Sequence, residues 1–318
     1  MRLTVSRAVP SQKVLIRRRR RQWSDALTIF LFLLPSLVLF VLFVLVPVVQ
    51  AAHYSLYKWS GLGPLDDYIG FKNYQTLFNQ PIFLKALENN LLIAGLSLVF
   101  QLPAAIVLAL LVNRKMPGRS FFRLVFFLPY VLSEVVTGLI WSFIYNPLYG
   151  LIAGVMRQFD PHATPPAFLA DPKTVLYAIF IAMCWKYFGF HLILYLAGLQ
   201  NIPAELVEAA RVDGASSWQA IRYVTLPLLG STIRLSAFLS ILGSLQYFDL
   251  IWVMSGGGPP GTNASETMAT YQLHYGLNEF KLGYGSAVGV VMFGICLIFA
   301  LFYQRVIMRQ DLQGSSAL

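Results

Sequence analysis

Charge is what this chain has least of. Only 12% of its 318 residues are Asp, Glu, Lys or Arg, about half the share of an ordinary soluble domain, while 57% are hydrophobic. A soluble fold of this length would expose large apolar patches. That excludes a soluble globular enzyme, and equally a disordered chain or a coiled coil. Acidic residues are the scarcer sign: 14 Asp and Glu stand against 24 Lys and Arg, a formal net charge of +10. Cysteine is almost missing. Cys184 and Cys296 both lie in apolar stretches, which excludes a disulfide framework and a Cys-rich zinc site. What the chain has instead is long apolar runs, the composition of a polytopic membrane protein.

A helix crossing the hydrocarbon core needs roughly 20 mostly apolar residues. Six stretches qualify: about Ala26 to Val49, Leu91 to Val112, Leu124 to Tyr145, Val175 to Leu199, Leu235 to Met254, and Tyr284 to Tyr303. None alternates like a barrel strand, so the spans are expected to be helical. Pro35, Pro47, Pro103 and Pro129 fall inside or at the ends of spans, where neighbouring helices can recover the freed backbone groups. The basic residues set the orientation. With the N-terminus inside, the inner segments hold 17 of the 24 Lys and Arg, the outer segments hold six, and Lys186 lies within a span. This predicts both termini on the cytoplasmic side. The run Arg17 to Arg21 could be read as a nucleic-acid patch. Beside a first span it reads better as an orientation signal that also touches anionic lipid. The expected organisation is a basic cytoplasmic arm over 1–25, a six-helix transmembrane domain over 26–308 and a cytoplasmic tail over 309–318.

The longest inner segment, 201–230, carries a pattern of its own. Pro203 and Glu205 suit the first turn of a helix. Ala204 to Val212 is rich in helix formers, and Gly214 fits a left-handed C-terminal cap. Ser216 or Ser217 can cap a second short helix, which Pro227 is expected to close. The product is a helix–turn–helix on the cytoplasmic face, exposing Glu205, Glu208, Arg211 and Asp213.

Glu208-Ala209-Ala210, then Asp213-Gly214-Ala215, then Leu226-Pro227 resembles the EAA loop of permease subunits of binding-protein-dependent ABC importers. The outer stretch Ser255-Gly256-Gly257-Gly258-Pro259, with Leu282-Gly283-Tyr284-Gly285-Ser286-Ala287 and Phe127-Leu128-Pro129-Tyr130, is similar to the carbohydrate-uptake branch with its maltose-type and glycerol-3-phosphate-type permeases. The resemblance implies an all-α permease in a bacterial cytoplasmic membrane, with an EAA-type coupling pair between helices 4 and 5. Its implied partners are a second homologous permease, an ABC ATPase dimer and an extracytoplasmic solute-binding protein, with surrounding membrane lipid and no nucleic acid. ATPase coupling would rest on Glu205, Glu208, Ala209, Ala210, Asp213, Gly214 and Pro227. Gly256 and Gly261 have Walker A spacing, but Thr262 and Asn263 stand where Lys and Ser/Thr are needed. No cofactor is therefore expected in this chain, ATP and Mg belonging to the partner ATPase, and the chain is not expected to be an enzyme by itself.

Ionisable groups inside a span cost about 2.5 to 3.5 kcal/mol each on insertion scales. Glu134, Lys186, His191 and Asp249 are the candidates. Glu134 and Lys186 lie at similar depth, able to pair or to face a shared cavity, while His191 is best read as making an interhelical hydrogen bond. Ser240, Ser244, Tyr247, Phe248 and Ile251 form a polar-aromatic stripe at helical spacing. Alignment with the maltose-type pocket implies solute contacts at Tyr130, Glu134, Met183, Lys186, Tyr187, Phe190, Ser240, Gly243 and Ser244, and the stripe adds Tyr247. Charges at Glu134 and Lys186 depart from the maltose pattern. The expected function is ATP-driven import of an oligosaccharide or sugar-like solute. An ion-coupled secondary transporter is the alternative, but it would need a coupling-ion relay or an inverted repeat. An intramembrane enzyme would have only His191 and Glu134 as an acid–base pair, with no nucleophile.

Overall fold

The computed structural model describes residues 28–113, 117–256 and 262–307. The N-terminal arm with its Arg17 to Arg21 run, the tail over 309–318, the basic pair Arg114 and Lys115, and most of the Walker-like stretch lie outside the described residues. The chain divides into two units, Met1–His53 and Tyr54–Leu318. Helix α1, Thr28–Tyr54, occupies the described part of the first and ends at the start of the second.

In the second unit the order is α2 Lys72–Phe78, α3 Pro81–Val112, α4 Arg119–Val131, α5 Glu134–Ile144, α6 Leu151–Phe159 and α7 Val175–Gln200. Then come α8 Ala204–Val212, α9 Ser217–Leu228 and α10 Gly230–Leu245, α11 Asp249–Ser255, α12 over 268–278 and α13 Leu282–Val306. Among the described residues there is no strand, and a lone antiparallel bridge joins Tyr57 to Tyr68. Four helices (α1, α3, α7 and α13) are long and apolar enough to cross a bilayer. Two bent pairs, α4 with α5 and α9 with α10, raise the number to six if each pair is one span.

The prolines explain where the long helices deform. A proline inside a helix lacks an N–H and crowds the carbonyl four residues back. Three π-helical turns, Val41–Leu45, Ser97–Gln101 and Ile221–Thr225, each end one residue before an X-Pro pair: Val46-Pro47, Leu102-Pro103 and Leu226-Pro227. In each, the residue before the proline donates its N–H five residues back, as Leu102 does to the Ser97 carbonyl. The wider turn absorbs the proline without ending the helix. Pro227 therefore does not close α9, as the sequence suggested. The helix runs on to Leu228 and turns by 63° into α10. The stretch from Leu124 to Tyr145 is likewise not one straight span. It breaks by 100° after Val131, two residues beyond Pro129, and restarts with Ser133 accepting the Val136 N–H as an N-cap. The expected fifth span is interrupted too, between α10 and α11.

Helix α3 starts ten residues before the expected span, and its N-terminal part holds two fully buried asparagines. Asn89 donates to the carbonyls of Ala264 and Glu266. Asn90 donates to Ser244 O at 2.6 Å and accepts from Met268 N at 2.9 Å. Asn90 thus ties α3 to both α10 and α12. Glu266 is fully buried beside them with His274 Nδ1 3.2 Å from Oε1. Burial pushes its carboxyl above the usual range, against the pull of the Thr270 hydroxyl and His274. Asn90→Ala would strand a buried carbonyl and a buried N–H. It is expected to cost about 2 to 4 kcal/mol, read as a lowered denaturant midpoint in detergent, whereas Asn79→Ala, at an exposed hydrogen bond to Gln75 O, should leave the midpoint unchanged.

Packing around α7 sets the interior. Its N-terminal half joins Ile93 of α3 with Tyr247 and with Leu250, Ile251 and Met254 of α11. Its C-terminal half packs Leu192, Tyr195, Leu196 and Leu199 on Ala105, Ala109 and Val112 of α3. A separate cluster joins Leu77, Phe83, Met268, Tyr271 and Val288.

Candidate functional site

Where α4, α7 and α10 converge with the middle of α3, the structure leaves a cavity of about 380 Å³, within the range of small-molecule sites. Of the ten residues expected to face a solute, Tyr130, Met183, Tyr187, Phe190, Ser240, Gly243, Ser244 and Tyr247 border it. The Tyr130 and Phe190 rings stack at 5.3 Å between centroids, 29° apart. Tyr187 meets Tyr130 edge-on at 6.1 Å and Tyr247 edge-on at 6.3 Å. The wall is therefore aromatic on one side and hydroxyl-bearing on the other, where Ser240 and Ser244 share a face of α10.

Glu134 and Lys186 do not border the cavity. The Tyr187 hydroxyl donates to Glu134 Oε1, placing the carboxylate beyond the far end of that ring. Lys186 Nζ lies 3.8 Å from the same oxygen and donates to the carbonyl of Leu132, at the break between α4 and α5. Of the two arrangements their depth left open, the side chains lie together here, and Lys186 ties α7 to the break between α4 and α5. His191 makes the expected interhelical bond, its Nδ1 2.8 Å from Ser236 Oγ, while its ring still reaches the cavity.

Sequence reasoning did not place Gln101, Leu239 or Gln246 here, yet all three line the cavity with Phe248 and Asp249. For Gln101 a signal existed: a lone amide in an apolar run, two residues before Pro103.

At the other end of α9 the local geometry follows the sequence closely. Gly214 takes φ +88°, the left-handed region. Its N–H donates to Arg211 O and the Ala215 N–H to Ala210 O, each at 3.0 Å, the paired bonds of a Schellman cap. Ser216 and Gln219 then form a capping box. Pro203 sits at the N-cap of α8, one residue before the first turn. Glu205, Glu208, Ala209, Asp213, Gly214 and Pro227 are exposed, and Ala210 is half-buried. Exposed apolar side chains flank the turn: Val212 is 88% accessible, Trp218 68% and Tyr223 75%.

Residues 101–311 match the family described as the binding-protein-dependent transport system inner membrane component. This chain belongs to that family. The matched region contains the whole cavity and the α8–α9 pair. The chain is 35% identical to the probable ABC transporter permease protein YurN of Bacillus subtilis, over 87% of this chain and 94% of that one. It is 32% identical to the diacetylchitobiose uptake system permease protein NgcF of Streptomyces coelicolor, over 89% and 83%. Among solved structures, a chain of a bacterial alginate ABC transporter, in complex with a periplasmic protein carrying alginate pentasaccharide, superposes with a TM-score of 0.79 and 26% identity. That superposition covers 92% of this chain and 96% of the other.

Proposed function

We propose that this chain is a six-span permease subunit of an ABC importer for a sugar or sugar-like solute, with both termini on the cytoplasmic side of a bacterial inner membrane. The observation that carries the reading is the cavity at the meeting of α3, α4, α7 and α10. A sugar offers C–H faces to rings and hydroxyls to polar groups, and Tyr130, Phe190, Ser240 and Tyr247 present both kinds of surface. Relatives named for diacetylchitobiose uptake, and the alginate transporter, support that solute class.

Power would come from ATP hydrolysis on a separate pair of ATPase subunits, with a second, homologous permease closing the translocation path and an outer binding protein delivering the solute. The exposed α8–α9 turn has the features of a docking element: acidic Glu205, Glu208 and Asp213 among exposed Val212, Trp218 and Tyr223. Its connection to the cavity is short. Helix α9 runs into α10 through one bend, and α10 carries Ser240, Gly243 and Ser244. A partner that moved the turn would therefore move one wall of the cavity, biasing the permease between inward and outward states. Glu134 would contribute by holding the Tyr187 hydroxyl in place, with Lys186 neutralising it.

The test is uptake into vesicles containing the assembled importer. Sugar accumulation should require ATP and persist with an uncoupler; abolition by the uncoupler alone would point to an ion-coupled carrier. Within that assay Gly214→Pro removes the N–H of the Schellman cap and forbids a positive φ. It should lower uptake by about five- to thirtyfold, from the ~1–2 kcal/mol cost of a misplaced left-handed residue, while membrane insertion is unchanged. Unaltered uptake in that variant would refute the coupling role.

A further inference from the structure

Two side chains bordering the cavity carry polar atoms without a hydrogen-bond partner among the described residues. Gln101 is 3% exposed and its Nε2 makes no hydrogen bond; Tyr247 is 7% exposed and its hydroxyl makes none. Buried polar groups are nearly always paired, and an orphan costs folding free energy unless something else fills the role. Gln101 lies on α3 and Tyr247 in the break between α10 and α11, and both residues border the same cavity.

Gln101 owes its position to the backbone. It is the last residue of the π-helical turn Ser97–Gln101, forced by Pro103 two positions on. The extra residue in such a turn rotates the face that follows by about 100°. Before the turn, Ile93 packs with the N-terminal half of α7; after it, Ala105 and Ala109 pack with its C-terminal half. Single π-turns inside α-helices recur at functional sites, and here one delivers an amide to the cavity.

The charges around it narrow the ligand. Lys186 is engaged by Glu134 and the Leu132 carbonyl, and His191 Nδ1 by Ser236. Among the described residues no Lys or Arg borders the cavity, and Asp249 is the carboxylate that does. An anionic solute would find a carboxylate and no Lys or Arg there, whereas hydroxyls could donate to Asp249 and accept from Gln101.

We propose that Gln101 is a recognition residue of this cavity, its Nε2 donating to a hydroxyl or ring oxygen of an uncharged sugar, and that Asp249 turns away uronates and other anionic sugars. The inference rests on the sugar-import reading above and extends it to a residue outside the set drawn from α4, α7 and α10.

The experiment is uptake by the complete reconstituted importer, at saturating binding protein, of neutral oligosaccharides (maltose, trehalose, raffinose, diacetylchitobiose) and of a glucuronate-containing disaccharide. Wild type should take up at least one neutral sugar and discriminate at least about tenfold against the uronate. Gln101→Met keeps the volume and should raise the apparent KM for the neutral sugar about tenfold. Monodeoxy analogues of that sugar separate recognition from packing. One analogue should be handled poorly by wild type and no worse than the parent sugar by Gln101→Met. Because an orphan amide is removed, Gln101→Met should unfold at a temperature no lower than wild type; a marked drop would show a structural partner and overturn the assignment. An unchanged KM and analogue pattern would overturn the Gln101 role while leaving sugar import standing. Equal uptake of the uronate would overturn the Asp249 role, and no uptake of any sugar would remove both the inference and the function beneath it.

Discussion

Gly189→Ala should cost about 3 kcal/mol or more, at or beyond the upper end of ordinary overpacking, and yield little monodisperse protein in detergent. A Cβ on Gly189 would lie 2.2 Å from the carbonyl oxygen of Phe126 and 2.8 Å from Phe127 Cα. Both are backbone atoms of α4, so no side-chain rotation relieves the contact and the two helices must separate. Close backbone approach through small residues is how helices associate in lipid, where burial of apolar surface drives little. Separation would also pull Tyr130 from the ring of Phe190, the residue after Gly189, on which it stacks. Gly95→Ala in α3 is the matched control. Its Cβ meets nothing within 4 Å, so the substitution should stabilise by about 0.5 to 1 kcal/mol through helix propensity. Thermal unfolding of the two variants in one detergent should give shifts of opposite sign. Equal shifts would mean that the α4–α7 approach is not what holds this region.

Features decided within a few residues were legible in the sequence. Gly214 fitted a left-handed turn and Ser216 or Ser217 an N-cap; Gly214 and Ser216 took those roles because the bonds involved span three to five residues. The apolar runs located every long helix for the same reason: one property, repeated along the chain. What failed depended on relief from elsewhere. A proline tells that a helix must yield, but not how. Pro103 and Pro227 are absorbed by wider turns, whereas Pro129 precedes a 100° break stabilised by Lys186 reaching from α7. Ser133-Glu134, an N-cap followed by an acid, marked that restart locally but was hidden in a continuous apolar run. The cavity set drawn from α4, α7 and α10 converged in space, yet Glu134 and Lys186 ended beyond the Tyr187 ring. Depth along a span does not specify which side of a helix faces the path. Gln101 was missed because its placement depends on the rotation introduced by the π-turn.

Lys186→Met should destabilise the permease by about 3 to 5 kcal/mol, the usual effect of stripping a buried charge of its partner. The Lys186 side chain is 5% exposed and that of Glu134 21%. Without the ammonium, the carboxylate keeps only the Tyr187 hydroxyl, and the Leu132 carbonyl at the helix break loses its donor. Glu134 Oε2 already has no hydrogen bond, so nothing nearby takes over. Adding Glu134→Gln removes the stranded charge, and the double variant should recover at least about 2 kcal/mol of the loss, a coupling typical of residues in direct contact. The exposed pair Lys281–Glu279, with side chains 61% and 41% accessible, should show less than about 1 kcal/mol in the same cycle. Unfolding midpoints of the four proteins in each cycle provide the comparison. The transport assay then separates fastening from recognition. If the pair only holds the α4–α5 break and orients Tyr187, the refolded double variant imports an uncharged sugar with its KM within about threefold of wild type. If Lys186 contacts the solute itself, stability recovers in the double variant and uptake does not, because Met supplies no donor.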